Sequence, residues 1–151
     1  VVSAMWYNEY HQLLNAGLND DELRVFRYDE FGLNFPEDGV YCSATMLKER
    51  PETCRRFMRA VVRGWLYAFA HPEETLDVIM ERVQEASVPT TRVHQRWMLE
   101  KMKDLVLPEG GNSTIGLLPE EEYLRVAEAM MEAGMLTEMI PYKEFYENCA
   151  R

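Results

Sequence analysis

The sequence predicts an α/β fold, helix-rich with about three short strands, and three observations support that expectation. The opening reads strand, helix, strand, the order of an α/β unit. Short β-branched or alternating runs occur near the start of the chain, before about residue 45. The rest is filled by amphipathic stretches at helical spacing. With 47% hydrophobic residues in 151, the chain is long enough for one domain with its own core.

Taken in order, Val1 to Trp6 is a short apolar run that reads as a buried strand. Tyr7 to Asn15 follows with Tyr10, Leu13 and Leu14 at helical spacing, and Gly17 suits the left-handed residue after a helix. Asn19, Asp20 and Asp21 make a polar turn. Leu23 to Tyr28 alternates apolar and charged residues and reads as a second strand. Asp29 to Gly39 is loop by composition, and Val40 to Ala44 is a third strand candidate.

From there the pattern is helical. Thr45 to Arg50 makes a short helix that ends before Pro51, and Pro51 suits the first turn of the next. Phe57, Met58, Val61, Val62, Trp65, Leu66 and Phe69 form one stripe, so Pro51 to Ala70 is a long amphipathic helix. Gly64 inside it costs about 1 kcal/mol against Ala and suggests close packing by a neighbour. Pro72, with Glu73 and Glu74, starts a helix carrying Leu76, Ile79 and Val83. Thr90 or Thr91 caps the next, which bears Val93, Trp97 and Met102. Pro108 to Ser113 is the most flexible-looking stretch. Glu120 and Glu121 open a helix with Tyr123, Leu124, Val126, Ala127, Met130 and Met131, closed by Gly134. Ile140-Pro141 introduces a last short helix with Phe145 and Tyr146 facing inward.

Three strands cannot cover so many apolar helix faces. The chain also opens inside an apparent strand, with no initiating Met and no basic leader. The expectation is a fragment, a processed product or one part of a longer chain. Its uncovered helix faces would favour a dimer or a swapped assembly.

Charge excludes some functions. With 16 basic and 26 acidic residues the net charge is −10, which repels phosphate backbones and anionic membranes. The basic run Arg50, Arg55, Arg56, Arg59 and Arg63 falls on the solvent side of the long helix, so no nucleic-acid partner is expected. Cys42, Cys54 and Cys149 are odd in number and widely spaced, which fits neither a disulfide framework nor a zinc site. Cys42 and Cys54 read as packing residues. No stretch reaches the roughly 18 apolar residues needed to span a bilayer.

Motifs for catalysis are missing as well. His11, His71 and His94 form neither HxH nor HExxH, and each reads as a surface or core-edge histidine. There is no GxSxG elbow, no phosphate loop and no GxGxxG. No enzyme, cofactor or metal site is expected. One segment does carry recognition chemistry: Trp6 and Tyr7 can stack on a flat ligand, Asn8 can donate and accept, and Glu9 is a strong acceptor. The same residues also suit an aromatic pair in the core with Asn8 as a helix cap. The loop holding Asn34, Phe35 and Asp38 is open in the same way, as the lining of a cleft or as a connector.

The stretch Ser3 to Tyr10 (SAMWYNEY), the crossing Gly32 to Tyr41 (GLNFPEDGVY), Arg56 to Ala60 with Gly64-Trp65, and His71-Pro72-Glu73-Glu74 together resemble the NMT1/THI5-like (SsuA/THI5-like) family. Ile115-Gly116 and the stretch Ala133 to Leu136 extend the resemblance along nearly the whole chain. It implies part of a type II periplasmic-binding-protein fold, with residues 1–28 ending the second lobe, 29–39 recrossing the hinge and 40–151 forming the helical part of the first lobe. It also implies the periplasmic or extracytoplasmic, solute-binding component of an ABC importer that works with a membrane permease. The ligand implied is small and planar, nitrogen-containing, or a sulfonate. In pyrimidine-binding members a Glu after an aromatic-Asn motif lies at the ligand, which maps to Glu9 with Trp6 and Asn8. Two other readings share the resemblance: a ligand-sensing domain of a larger signalling protein, and a relative of a pyrimidine-biosynthesis enzyme. The enzyme branch carries a cysteine-rich iron motif that this sequence lacks.

Overall fold

A computed structural model describes residues 1–107 and 115–150. Among the described residues every regular element is helical: α1 (Glu9–Asn15), α2 (Ala44–Glu49), α3 (Pro51–Ala70), α4 (Pro72–Glu85), α5 (Arg92–Val106), α6 (Glu120–Glu132) and α7 (Tyr142–Phe145). Two single 3-10 turns, Asp20–Glu22 and Tyr28–Phe31, punctuate the early part. The stretch Pro108 to Ser113, expected to be the most flexible, lies outside the described residues.

The α/β expectation is corrected here: no strand forms among the described residues, at Val1 to Trp6, Leu23 to Tyr28 or Val40 to Ala44. A strand persists only where its N–H and C=O groups find a ladder and one face finds cover. In these segments Val1, Val2, Val25, Phe26, Val40 and Tyr41 are all exposed, so neither condition is met. An apolar run reads as buried whatever would cover it, and periodicity does not say whether the cover lies in the same chain.

The helices match the spacing more closely. Ser43 Oγ accepts the Met46 N–H at 3.1 Å and starts α2. Thr91 does the same for His94 at 3.2 Å and starts α5, while Thr90 accepts from the Gln95 amide at 3.1 Å. Pro72 stands at the head of α4 with Glu73 and Glu74 in its first turn. Three helices end in one hydrogen-bonding pattern. After α1, Gly17 N–H donates to Leu14 and Leu18 N–H to Leu13; after α4, Ser87 to Gln84 and Val88 to Val83; after α6, Gly134 to Met131 and Met135 to Met130. The left-handed residue is Gly17, Ser87 or Gly134, with φ of +98°, +54° and +69°.

The chain divides into two compact units, Val1–Val25 with Arg63–Ile115, and Phe26–Val62 with Gly116–Arg151. In the first, Phe69 of α3, Leu76 of α4 and Leu99 of α5 are buried together, with Trp65, Ala68, Met102, Val106 and Leu107 around them. Trp65 and Phe69 lie 5.3 Å apart, ring to ring. Val93, expected on the inner stripe of α5, is exposed, and His94 and Leu99 face inward instead. On the solvent side, Glu73 takes both Arg96 and Arg92, and Arg92 also reaches Asp77 at 2.6 Å. The hydrogen bonds from Arg96 and Arg92 hold the Glu73 carboxyl down at about 2.

In the second unit, Tyr123 and Ala127 of α6 are buried, as is Cys149. Tyr123 packs on Phe145 at 4.8 Å and Tyr142 at 5.7 Å. Three tyrosine hydroxyls tie the chain end to backbone carbonyls: Tyr123 to Ile140, Tyr142 to Leu118 at 2.6 Å and Tyr146 to Gly116 at 3.1 Å. Phe145 touches Tyr123 yet stays 47% exposed, so it is less inward than its spacing suggests. On α3, Phe57 is exposed and leaves the expected stripe. The neighbour expected at Gly64 is missing too, since a Cβ built there meets nothing within 4 Å.

Candidate ligand-binding site

The residues singled out by sequence fall in both units. In the first unit, a turn at Met5 to Asn8 leads into α1, with the Asn8 N–H donating to the Met5 carbonyl at 3.1 Å. Glu9 folds back over this turn: one carboxylate oxygen accepts the Met5 N–H at 2.9 Å and the other accepts from the Asn8 amide at 3.3 Å. The Asn8 side chain makes no cap on α1. Its carbonyl oxygen instead accepts from Gln12 at 2.8 Å and lies 3.0 Å from His94 Nε2 on α5.

An aromatic stack grows from the same turn. Trp6 lies 4.5 Å from Tyr10 and 6.3 Å from Trp97, whose indole N–H donates to the Trp6 carbonyl at 3.3 Å. On its other contacts Trp97 meets His11, with rings 4.6 Å apart and 5° from parallel, and Lys101, whose ammonium sits 5.2 Å from the ring centre. Tyr10 donates its hydroxyl to Asp20 at 2.6 Å, and that bond raises the phenol's pKa above its ordinary value. Trp6 remains 40% exposed, and Tyr7, Asn8 and Glu9 are half-buried.

In the second unit, Asn34, Phe35 and Asp38 lie on irregular backbone. Arg125 of α6 organises the first two. Its guanidinium donates to the Gly32 carbonyl at 3.0 Å and the Asn34 carbonyl at 2.6 Å, pairs with Glu122, and lies 5.3 Å from the centre of the Phe35 ring. Asp38 adopts a left-handed φ of +61°. The structure thus brings Trp6, Asn8 and Glu9 together in one cluster, with Tyr7 in the same turn, and gathers Asn34 and Phe35 under Arg125.

Two open grooves lie elsewhere. One runs beside Met80, Val83, Val88 and Thr90, the other beside Leu124, Met139 and Tyr142. Neither contains a residue of the aromatic turn. The chemistry at that turn is a dense set of ring faces and paired polar groups, with the Glu9 carboxylate and the Asn8 carbonyl accepting from their neighbours beside an indole.

Sequence reasoning missed the partners contributed by α5 and α6. His11 and His94, each read as isolated, lie 2.9 Å apart between their Nδ1 atoms. Arg125 carried no signal, because its targets are backbone carbonyls about ninety positions upstream. Nor did the cysteines: the Cys54 thiol is pushed up by burial and then by a hydrogen bond with Cys42, with Cys149 also near. Among the described residues no group of three or more His, Cys, Asp or Glu is arranged to hold a metal ion, and no helix is long and apolar enough to cross a membrane.

A family model described as NMT1/THI5 like matches residues 1–75, a stretch that includes the aromatic turn and the Asn34 loop. The riboflavin-binding protein RibY of Chloroflexus aurantiacus is 25% identical over 119 residues, which cover 76% of this chain and 33% of that protein. The chain spans about a third of the length of this curated relative. No solved structure matches.

Proposed function

We propose, from the premise that this chain belongs through residues 1–75 to the NMT1/THI5-like family, that it is part of a solute-binding protein for a flat, nitrogen-containing ring compound. The observation that supports this most is the joining of Trp6, Asn8 and Glu9 in one hydrogen-bonded turn within the matched residues. An indole face attracts a planar ring, the second amide hydrogen of Asn8 can donate, and the remaining lone pairs of Glu9 accept from ring or amino N–H groups. That a relative is named a riboflavin-binding protein favours a ring system of this kind over a sulfonate. A carboxylate at the centre of the turn also disfavours an anion.

On this reading Tyr7 completes the ring contacts of the turn. Entry of a ligand requires Tyr10 or the Trp97 side to yield part of the Trp6 surface. The protein works outside the cytoplasm, hands its cargo to an ABC permease and performs no reaction of its own.

Titration with riboflavin, lumichrome and an aminopyrimidine, followed by quenching of flavin or tryptophan fluorescence, tests the proposal. Trp6→Ala and Glu9→Gln are each expected to weaken binding about tenfold, equivalent to about 1.4 kcal/mol. Binding that is indifferent to both substitutions removes the turn from the site. A lack of binding to any flat heterocycle removes the ligand class.

A further inference from the structure

The rings of His11 and His94 are 3° from parallel, with centroids 5.2 Å apart and Nδ1 atoms 2.9 Å apart. A centroid spacing that equals one hydrogen bond plus the two half-rings means the imidazoles meet edge to edge in nearly one plane. They are not stacked face on face. This is the geometry of a single N–H···N hydrogen bond between imidazoles.

The neighbours determine which way it runs. The Asn8 carbonyl oxygen faces His94 Nε2 at 3.0 Å and already accepts from Gln12, so His94 Nε2 carries a hydrogen and donates. When both rings are neutral, His94 Nδ1 is therefore the acceptor and His11 Nδ1–H the donor. One added proton is taken up at His11 Nε2, and the bond survives: the hydrogen between the rings stays on His11 Nδ1 or passes to His94 Nδ1, which then donates back to His11 Nδ1. In that form His11 Nδ1 can also accept from the Asn15 amide, which stands 3.2 Å away. A second proton leaves no acceptor. Two N–H groups on two cations would then face each other at 2.9 Å.

We propose that His11 and His94 form a one-proton latch between α1 and α5, and that a second proton springs it and loosens the Trp6–Tyr10–Trp97 stack. His94 is 7% exposed, so it cannot turn to water without moving its surroundings. His11 is clasped by the Trp97 face at 4.6 Å, so separating the imidazoles disturbs the indole next. The charged groups around the pair pull in both directions. On α1, Glu9 favours protonation of His94, but its oxygens are engaged by Met5 and Asn8. Tyr10 is tied to Asp20. On α5, Lys101 lies over Trp97 and adds positive charge, while Arg92 and Arg96 are held by Glu73 and Asp77 of α4. Burial, then the charge of His11, lowers the His94 pKa from its ordinary value, against the pull of Glu9.

The sign follows by linkage. A folded value below the unfolded one makes the stabilisation complete above the ordinary imidazole pKa, about 6.5, and lost as pH falls through it towards the folded value. The latch carries over to ligand release only through the reading of the turn as a binding site. It is itself tested without ligand.

Imidazole nitrogen NMR on the full chain from pH 8 to 4 should show the pair taking up its protons in separate steps, with His94 protonating below the ordinary imidazole value. Amide exchange in α1 should rise and tryptophan emission shift to the red at that second step. In His11→Gln, His94 should titrate in one step closer to the ordinary value. If that variant does not fold, the wild-type curves decide alone. Protonation of His94 in a single step at the ordinary imidazole value overturns the latch. So does a second protonation that leaves α1 exchange and the indoles unchanged.

Discussion

Ser87 sits where Gly17 and Gly134 sit on their own helices, closing α4 with the same pair of backbone hydrogen bonds at a φ of +54°. A side chain in that region brings Cβ towards a carbonyl oxygen, a cost of roughly 1–2 kcal/mol that glycine avoids. Ser87→Gly should therefore stabilise the chain by about 1 kcal/mol, read as a higher urea midpoint at unchanged slope; a lower midpoint would show that the serine hydroxyl contributes more than its backbone costs. Gly17 and Gly134 were legible as helix ends because glycine advertises a left-handed residue. Ser87 was not, because serine is common in every turn. The histidines show the limit from the other side: His11 and His94 are 83 positions apart, and no spacing rule links them.

At the scale of elements, the α4 to α5 seam turns on Leu76, which has no exposed surface and packs with Phe69 and Leu99. Leu76→Ala removes that contact and leaves a cavity, at an expected cost of about 3 kcal/mol in urea unfolding followed by circular dichroism. A loss under about 1 kcal/mol would mean that the seam is held elsewhere, for instance by Glu73 and its two arginines. Helices were read well because each carries its own evidence. Pro51 and Pro72 open α3 and α4, Ser43 and Thr91 cap α2 and α5, and the apolar stripe of α3 mostly faces inward. Strands were read wrongly for the same reason inverted. Val1, Val25 and Val40 have β-branched character, but a strand's hydrogen bonds belong to a neighbour, and the local sequence does not contain it.

Over the whole molecule, a good deal of apolar surface stays in water, including Val1, Val2, Phe26, Tyr28, Phe31, Tyr41 and Met135. Exposed apolar side chains favour association, which the net charge of −10 opposes. The isolated chain is therefore expected to gain mass by light scattering as concentration rises, and to gain more as salt screens the repulsion. A mass that ignores both variables would show that these side chains find cover within one molecule. The turn at Trp6 to Glu9 stood out because its residue types sit side by side in the sequence. Its companions on α5 were not, since only folding brings Trp97 and His94 alongside.

Arg125 grips the Gly32 and Asn34 segment by main-chain oxygens and lies over the Phe35 ring. Main-chain oxygens are the same whatever residue bears them. The side chains at positions 33 and 34 are thus free to drift without the tether slipping, so descendants of this chain can change what that edge displays while its anchorage is inherited intact.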